Sequence, residues 1–137
     1  MTLPLLLDTC AAIWTVEDQL PPAAEAILTR SYRNGDMVYL SPITAWELGL
    51  LFSRGRLRAA RSPLEYFRQM TTLPGVRLAP MPPELLLASS FLPGAPPPDP
   101  ADRIIVATAR EYGYTLMTRD ARLLTYAEEG HIRALAC

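Results

Sequence analysis

Four carboxylates stand at positions where folded chains often build sites for divalent cations. Asp8 directly follows a short apolar run, and Asp120 comes shortly after another. Glu47 and Asp102 lie in helix-like segments, within or beside the apolar face. Clustered carboxylates repel one another unless a cation compensates, and oxygen ligands favour hard ions. The four residues together therefore predict a site for Mg²⁺ or Mn²⁺.

A hard ion held by carboxylates indicates phosphate chemistry, because the ion can activate water and neutralise charge on the displaced oxygen. No group of Cys and His residues in the sequence competes for a softer metal: Cys10 and Cys137 lie near opposite ends, and His131 is the single histidine. The cysteine spacing fits neither a zinc site nor a disulfide framework. One histidine also gives no evident acid–base pair.

Three of these acids, and a nearby fifth, also have purely structural interpretations. Asp8 could end a strand and cap the next helix, and Asp120 could be an N-cap. Asp99 and Asp102 could form a capping pair around a proline. The metal interpretation depends on the acids acting together.

Glu47 is the one charge between residues 41 and 53, and it falls within the apolar arc of its segment. A buried carboxylate is costly unless it is paired or binds metal. The alternative to a metal ligand is a buried ion pair with an arginine such as Arg54 or Arg103.

The acids must be positioned by an alternation of short apolar strands and helices, which indicates an α/β fold with a mostly parallel sheet. In such sheets ligands bind at the carboxyl ends of strands, where the strand order reverses. Strands are predicted over residues 3–7, 37–40, 76–79, 114–117 and 132–135. Helices are predicted near 11–14, over 23–32, 42–53, 63–70, 83–91 and 101–112, and after 120.

The length of 137 residues fits one domain, 1–137, and the net charge is −1. All 13 basic residues are arginine, so chemistry that needs a catalytic lysine is excluded. Arginines 54, 56, 58 and 61, here called the arginine segment, could contact RNA phosphates, meet an acidic partner segment, or simply be a solvated loop. No membrane span or signal peptide is evident, which predicts a cytoplasmic protein.

At this point five segments resemble, in order, the motifs of the PIN-domain family, and in particular its VapC-type toxins. They are LLLDT at 5–9, SPITAWEL at 41–48, GRL at 55–57, DPADRIIVATA at 99–109 and LMTRD at 116–120. Each is weak alone, but five in family order are a specific signal.

The resemblance implies a PIN-like α/β domain with a five-stranded sheet flanked by helices, and Mg²⁺- or Mn²⁺-dependent endoribonuclease activity. By position, Asp8, Glu47 and Asp102 match the metal-binding acids of the family, and Asp120 matches a fourth, more variable one. Thr118 matches a hydroxyl residue that hydrogen-bonds within the site. The hypothesis is hydrolysis of RNA by water, which leaves 5′-phosphate and 3′-hydroxyl ends. Asp99 is interpreted as a cap outside the metal core.

The resemblance also implies a VapB-type antitoxin partner, whose tail covers the site, and a homodimer. Leu51, Phe52 and Leu57 are expected to be exposed and to support the dimer. The chain departs from its relatives at Cys10, where they often carry His, Asn or Ser, and at residues 97–98, where they often carry His. Both departures concern RNA positioning, because they remove candidate phosphate contacts.

Three other classes of protein could carry some of these acids. A response-regulator receiver needs a lysine in its site, and a haloacid-dehalogenase-like phosphatase needs Asp where this chain has Cys10. The third alternative is a PIN-like module that binds RNA or protein without cleaving. The presence of all four acids disfavours it.

Overall fold

The computed structural model describes residues 4–137, and its centre is a five-stranded parallel sheet. Leu3, predicted to begin the first strand, lies outside the described residues. The strand order across the sheet is β3-β2-β1-β4-β5. The strands are β1 (Leu5–Leu7), β2 (Val38–Leu40), β3 (Val76–Leu78), β4 (Thr115–Thr118) and β5 (Arg133–Ala136).

Seven helices connect the strands of the described chain. They are α1 (Thr9–Val16), α2 (Pro22–Arg33), α3 (Ile43–Ser53), α4 (Pro63–Thr71), α5 (Pro83–Ala88), α6 (Pro100–Tyr112) and α7 (Ala121–Glu128). Side-chain caps or prolines in the first turn begin most of them: Ser62 accepts from the backbone N–H of Glu65 at the start of α4, for example. The α/β prediction is confirmed, and the sheet is parallel throughout its paired strands.

Helix α5 ends earlier than the sequence predicted, at Ala88 and not near residue 91. The Ser89 hydroxyl donates to the Leu86 carbonyl, and the backbone N–H of Ser90 turns to the Leu87 carbonyl. Serine competes in this way for backbone partners, so the last turn tightens and the helix stops.

The sheet separates two apolar layers. Leu5 and Leu7 of β1 pack into one cluster with α1 and α4, whereas Leu6 between them packs into the other with Ile105 of α6. This alternation is why β1 is apolar on both faces. Strand order reverses between β1 and β4, since the chain proceeds from β1 through β2 to β3 and only then returns beside β1. That reversal is where a doubly wound sheet opens a crevice.

The expected exposure of three apolar residues is wrong. Phe52 and Leu57 are half-buried against the first core layer, and Leu51 is half-buried as well. Phe52 meets the buried Tyr66 ring edge-on at 5.7 Å between centroids, because α3 packs against α4. Large exposed apolar side chains lie elsewhere, and include Trp46, Leu87 and Phe91. Among residues 4–137 no helix is long and apolar enough to cross a membrane.

Candidate active site

A cavity of about 360 Å³ opens at the carboxyl ends of β1 and β4, where the strand order reverses. All four sequence-predicted acids reach it from different elements, and a fifth joins them. We call it the acidic cavity. Its lining consists of Asp8, Thr9, Cys10, Trp14, Glu47, Asp99, Asp102, Arg119 and Asp120.

Asp8 is fixed on both of its carboxylate oxygens. It is the N-cap of α1, where Oδ1 accepts from the backbone N–H of Ala11 at 2.8 Å. Its Oδ2 accepts from the hydroxyl of Thr118, at the end of β4, at 2.5 Å. Thr118 is fully buried and also accepts from the backbone N–H of Asp120 at 3.0 Å. The predicted cap and the predicted hydroxyl contact therefore occur together, and the two strand ends are joined through one threonine.

Glu47 projects from α3 into the cavity and is held by a hydroxyl, not by an arginine. The hydroxyl of Thr9 donates to its Oε1 at 2.5 Å and also lies 3.1 Å from that of Thr44. The alternative of a buried ion pair is wrong for the described chain, because neither Arg54 nor Arg103 reaches Glu47. Arg103 instead donates from Nε to the carbonyl of Pro97.

Asp99, Asp102 and Asp120 reach the cavity from helix starts. Asp99 is the N-cap of α6, where Oδ1 accepts from the backbone N–H groups of Ala101 and Asp102. Asp120 is the N-cap of α7 and accepts from the backbone N–H of Arg122 at 2.8 Å. The capping interpretations of Asp99 and Asp120 are thus confirmed. Both caps also line the cavity, so capping and a role in the site are compatible.

Burial and mutual repulsion disfavour ionisation of the inner acids. The pKa of Asp102 is raised to about 7, first by burial and then by the charges of Asp99, Asp120, Glu47 and Asp8, in that order of importance. Burial likewise raises the pKa of Asp8 and that of Glu47, partly offset by the hydroxyls that donate to them. Such shifts concentrated in one cleft mark a candidate functional site.

The donor set fits a hard divalent cation. It consists of carboxylate oxygens that are costly to keep charged together without a compensating positive charge. Within residues 4–137 no three such side chains already converge closely enough to hold one ion. Mg²⁺ is usually bound by one or two carboxylates and keeps several waters, so the cavity does not need a closed cluster of acids to hold one.

Sequence reasoning missed three contributors to this cavity. Thr9 orients Glu47 by donating to it. The one hint of this role in the sequence is that Thr9 directly follows Asp8. Trp14 lies one turn after Cys10, which places both on one face of α1. The Arg119 guanidinium stacks over the Trp14 ring at 3.9 Å from its centroid. Such contacts between distant segments leave no local signal.

Comparison with known proteins gives a consistent result. The family model described as "PIN domain" matches residues 5–129. The ribonuclease VapC22 of Mycobacterium tuberculosis is 30% identical over 122 residues, which cover 89% of this chain and 91% of that protein.

Known structures share the fold at low identity. VapBC2 from Rickettsia felis, bound to a DNA fragment from its promoter, superposes with a TM-score of 0.72 at 12% identity and 98% coverage of both chains. DNA-bound VapBC from Salmonella typhimurium gives 0.67 at 20% identity, again with 98% coverage of both chains. At such identities the likeness supports the α/β architecture alone.

Proposed function

The chain belongs to the PIN-domain family, and from this premise we propose that it is a metal-dependent endoribonuclease, the toxin of a type II toxin–antitoxin pair. The observation that carries the proposal is the acidic cavity, in which four acids matching the family motifs meet at the strand reversal. The relative from Mycobacterium tuberculosis, which aligns with most of the chain, is named a ribonuclease. We propose that residues 1–137 act as one PIN domain in the cytoplasm.

In this proposal Asp8, Glu47, Asp102 and Asp120 would hold Mg²⁺ or Mn²⁺. When bound, such an ion supplies positive charge beside a phosphate and makes water more acidic. The protein's own contribution is to orient the ligands. Thr118 fixes one oxygen of Asp8 by donating to it.

Thr9 fixes Glu47 in the same way, so each of these two acids is held by one hydroxyl donor. Hydroxyl donors of this kind hold ligands in place and leave their remaining lone pairs available. Attack by water, without the 2′-hydroxyl, would leave 5′-phosphate and 3′-hydroxyl ends on the RNA. Detection of 2′,3′-cyclic ends would exclude this reaction.

The proposed protein partner is a VapB-type antitoxin, because the structural neighbours are VapBC complexes. We also propose a homodimer. The exposed Leu87 and Phe91, which is 84% exposed, are apolar surface that a second copy could cover. A mass measurement that finds a strict monomer would contradict the dimer.

The proposal is tested by incubating a mixed RNA pool with the purified protein in Mn²⁺ or in EDTA. Asp8→Asn is the test variant, and Asp18→Asn is the matched control. Asp18 is exposed, lies outside the acidic cavity and has φ of 55°, a conformation that asparagine tolerates. We expect cleavage in Mn²⁺ by the wild type and the control, and none in EDTA or by Asp8→Asn.

A thermal melt with and without Mn²⁺ accompanies the assay. Mn²⁺ at about 100 times its dissociation constant would stabilise the fold by about 2.7 kcal/mol. Binding without cleavage would indicate a narrow RNA target that the pool lacks. Neither cleavage nor Mn²⁺-dependent stabilisation would reject the nuclease and favour the alternative, a non-catalytic PIN-like module.

A further inference from the structure

Arg119 carries the one positive charge among the described side chains that line the acidic cavity. It stands between the buried Thr118 at the end of β4 and Asp120 at the start of α7, so the backbone on both sides of it is fixed. The residue itself is exposed. Arg119 lies at the mouth of the cavity because it directly follows β4, whose carboxyl end forms one side of the cavity.

Two contacts hold the guanidinium in a defined plane. Its carbon lies 3.9 Å from the centroid of the Trp14 ring, within the range of a cation–π contact. Its Nε donates to the carbonyl of Cys137 at 3.3 Å. Because both contacts use the stacking face and the inner nitrogen, they leave the two terminal nitrogens unused.

An arginine beside five carboxylates would ordinarily form an ion pair with one of them. Within residues 4–137, Arg119 makes no such pair, and its terminal nitrogens form no hydrogen bond. The Trp14 stack draws the guanidinium towards a ring and away from the acids. The planar donor edge is therefore both oriented and available.

We propose that Arg119, stacked on Trp14, binds a non-bridging phosphate oxygen of the RNA strand as that strand enters the acidic cavity. This inference rests on the proposed function. A guanidinium matches the geometry of two phosphate oxygens, and stacking pre-orders the group so that less freedom is lost on binding. An RNA strand also needs a positive contact at the rim of a cavity whose other charges repel it.

The arginine segment does not offer the same arrangement. Its four members are exposed, and only Arg61 has a ring contact, over Tyr66 at 5.3 Å. None of them lines the acidic cavity. Among the described arginines, Arg119 is the one that lines the acidic cavity, directly after the strand end that positions Thr118.

The test uses Arg119→Ala, Arg119→Lys and Trp14→Leu, with Arg77→Ala as the matched control. Arg77 is exposed on β3, three strands away from β4, and its removal changes the net charge equally. Steady-state cleavage is measured on the shortest RNA that the wild type cuts. The salt dependence of binding is measured with a fluorescein-labelled single-stranded RNA in the Asp102→Asn background, in which the RNA stays intact.

Removal of a phosphate contact that is equal in the ground and transition states raises KM and spares kcat. We expect Arg119→Ala to raise KM about tenfold with kcat within about twofold. The slope of log affinity against log salt should fall by about 0.7, the value for one phosphate contact on a single strand. Arg119→Lys keeps the positive charge, so the salt slope should stay as in the wild type and KM should rise by less than in Arg119→Ala. Trp14→Leu should give the same pattern, because the charge of Arg119 stays while the ring that orients its guanidinium is lost.

Unchanged KM and salt slope in Arg119→Ala, with the fold retained by thermal melt, would overturn the inference. An effect of Arg77→Ala as large as that of Arg119→Ala would overturn it too, because the contribution would then be general charge. A loss confined to binding of an antitoxin would assign Arg119 to that partner instead. Failure of the wild type to bind or cleave any RNA would reject the proposed function itself.

Discussion

Two clusters of like charge differ sharply in their surroundings. The acidic cavity gathers five carboxylates from helices and strand ends around a space of about 360 Å³, and the most buried, Asp8, is only 7% exposed. The four members of the arginine segment are all exposed, on the turn after α3 and before α4. Water screens charges on such a loop, whereas it screens the acids far less.

Proximity in the sequence is a poor guide to whether charged side chains form a site. Four arginines close together in the chain look like a binding patch, but exposed charges cost the fold little and are common without a function. Acids scattered over more than a hundred residues look ordinary, yet the fold brings them to one cavity, in which Asp8 is buried and Glu47 and Asp102 are half-buried. Raised pKa values at Asp8, Glu47 and Asp102 report the cost. A cost retained in one cleft indicates function.

The largest expected effect separates the two clusters by activity. We expect Glu47→Gln to lower kcat/KM for RNA by about a thousandfold, because loss of a metal ligand forfeits several kcal/mol and each 1.36 kcal/mol is tenfold. Glutamine keeps an acceptor for the Thr9 hydroxyl, so the fold should be retained. Arg56→Ala combined with Arg58→Ala should lower kcat/KM by less than about tenfold. Equal losses in the two variants would show that the acidic cavity and the arginine segment contribute alike to activity.

The hydroxyl beneath the cavity gives the next effect. Thr118→Val removes a buried donor to Asp8 and a buried acceptor for the backbone of Asp120, so we expect a loss of about 1–3 kcal/mol in unfolding free energy. Mn²⁺ affinity should fall about 10–100-fold, as for loss of a group that orients a ligand. Calorimetry and chemical denaturation measure the two effects.

Thr118→Ser, which keeps the hydroxyl, should restore most of the Mn²⁺ affinity. Thr71→Val is the matched control, since the Thr71 hydroxyl donates only to the carbonyl of Arg68 at an exposed helix end. It should change stability by no more than about 0.5 kcal/mol. A valine at 118 that binds Mn²⁺ like the wild type would show that Asp8 needs no orienting partner.

Most of the fold was predictable because its signals are local. The apolar run at Leu5–Leu7 and the Asp99-Pro100 helix start are readable over a few residues, and both lie where predicted. The end of α5 was not, because a serine at this position is compatible both with a continuing helix and with the bond that Ser89 makes to the Leu86 carbonyl. The burial of Phe52 and Leu57 was not predictable either, since it depends on how α3 packs against α4.

The candidate site divides in the same way. The four acids were found because they sit in motifs whose order along the chain is characteristic of the family. The local sequence pattern could not show which carboxylate each threonine contacts. The bond from Thr9 to Glu47 and the bond from Thr118 to Asp8 both join segments that are far apart in sequence. The stack of Arg119 on Trp14 joins the connection after β4 to α1, so neither segment alone could indicate it.

A smaller effect tests the cost of the acidic cavity directly. The pKa of Asp102 is about 7 in the fold and near 3.8 in the unfolded chain, so ionisation of this group opposes folding. The penalty is full above pH 7 and vanishes as the pH falls towards 4. We expect Asp102→Asn to raise the Tm of the metal-free protein by a few degrees at pH 8, and by progressively less as the pH is lowered.

Removal of a single charge from the arginine segment is the matched comparison. Arg58 is exposed and makes no side-chain hydrogen bond or ion pair within the described chain, so Arg58→Gln should leave the Tm unchanged at every pH. A gain from Asp102→Asn that does not shrink in acid would mean that desolvation of the carboxylate is not the cause. A similar gain from Arg58→Gln would erase the distinction between the clusters.

The smallest expected effect concerns the arginine segment itself. Arg56→Glu combined with Arg58→Glu reverses two charges at exposed positions, so the unfolding free energy should change by no more than about 0.5 kcal/mol. Affinity for single-stranded RNA and for the antitoxin is then measured separately, each over a range of salt. Loss of RNA affinity alone would identify a phosphate-binding surface outside the cavity, and loss of antitoxin affinity alone would identify a loop that binds the antitoxin.

In the described part of the chain, Arg56 and Arg58 have no ring that holds them in place, whereas Arg119 is stacked on Trp14. We therefore expect both affinities to change by less than RNA affinity does in Arg119→Ala. A larger change would mean that the arginine segment, and not Arg119 at the cavity rim, guides the strand.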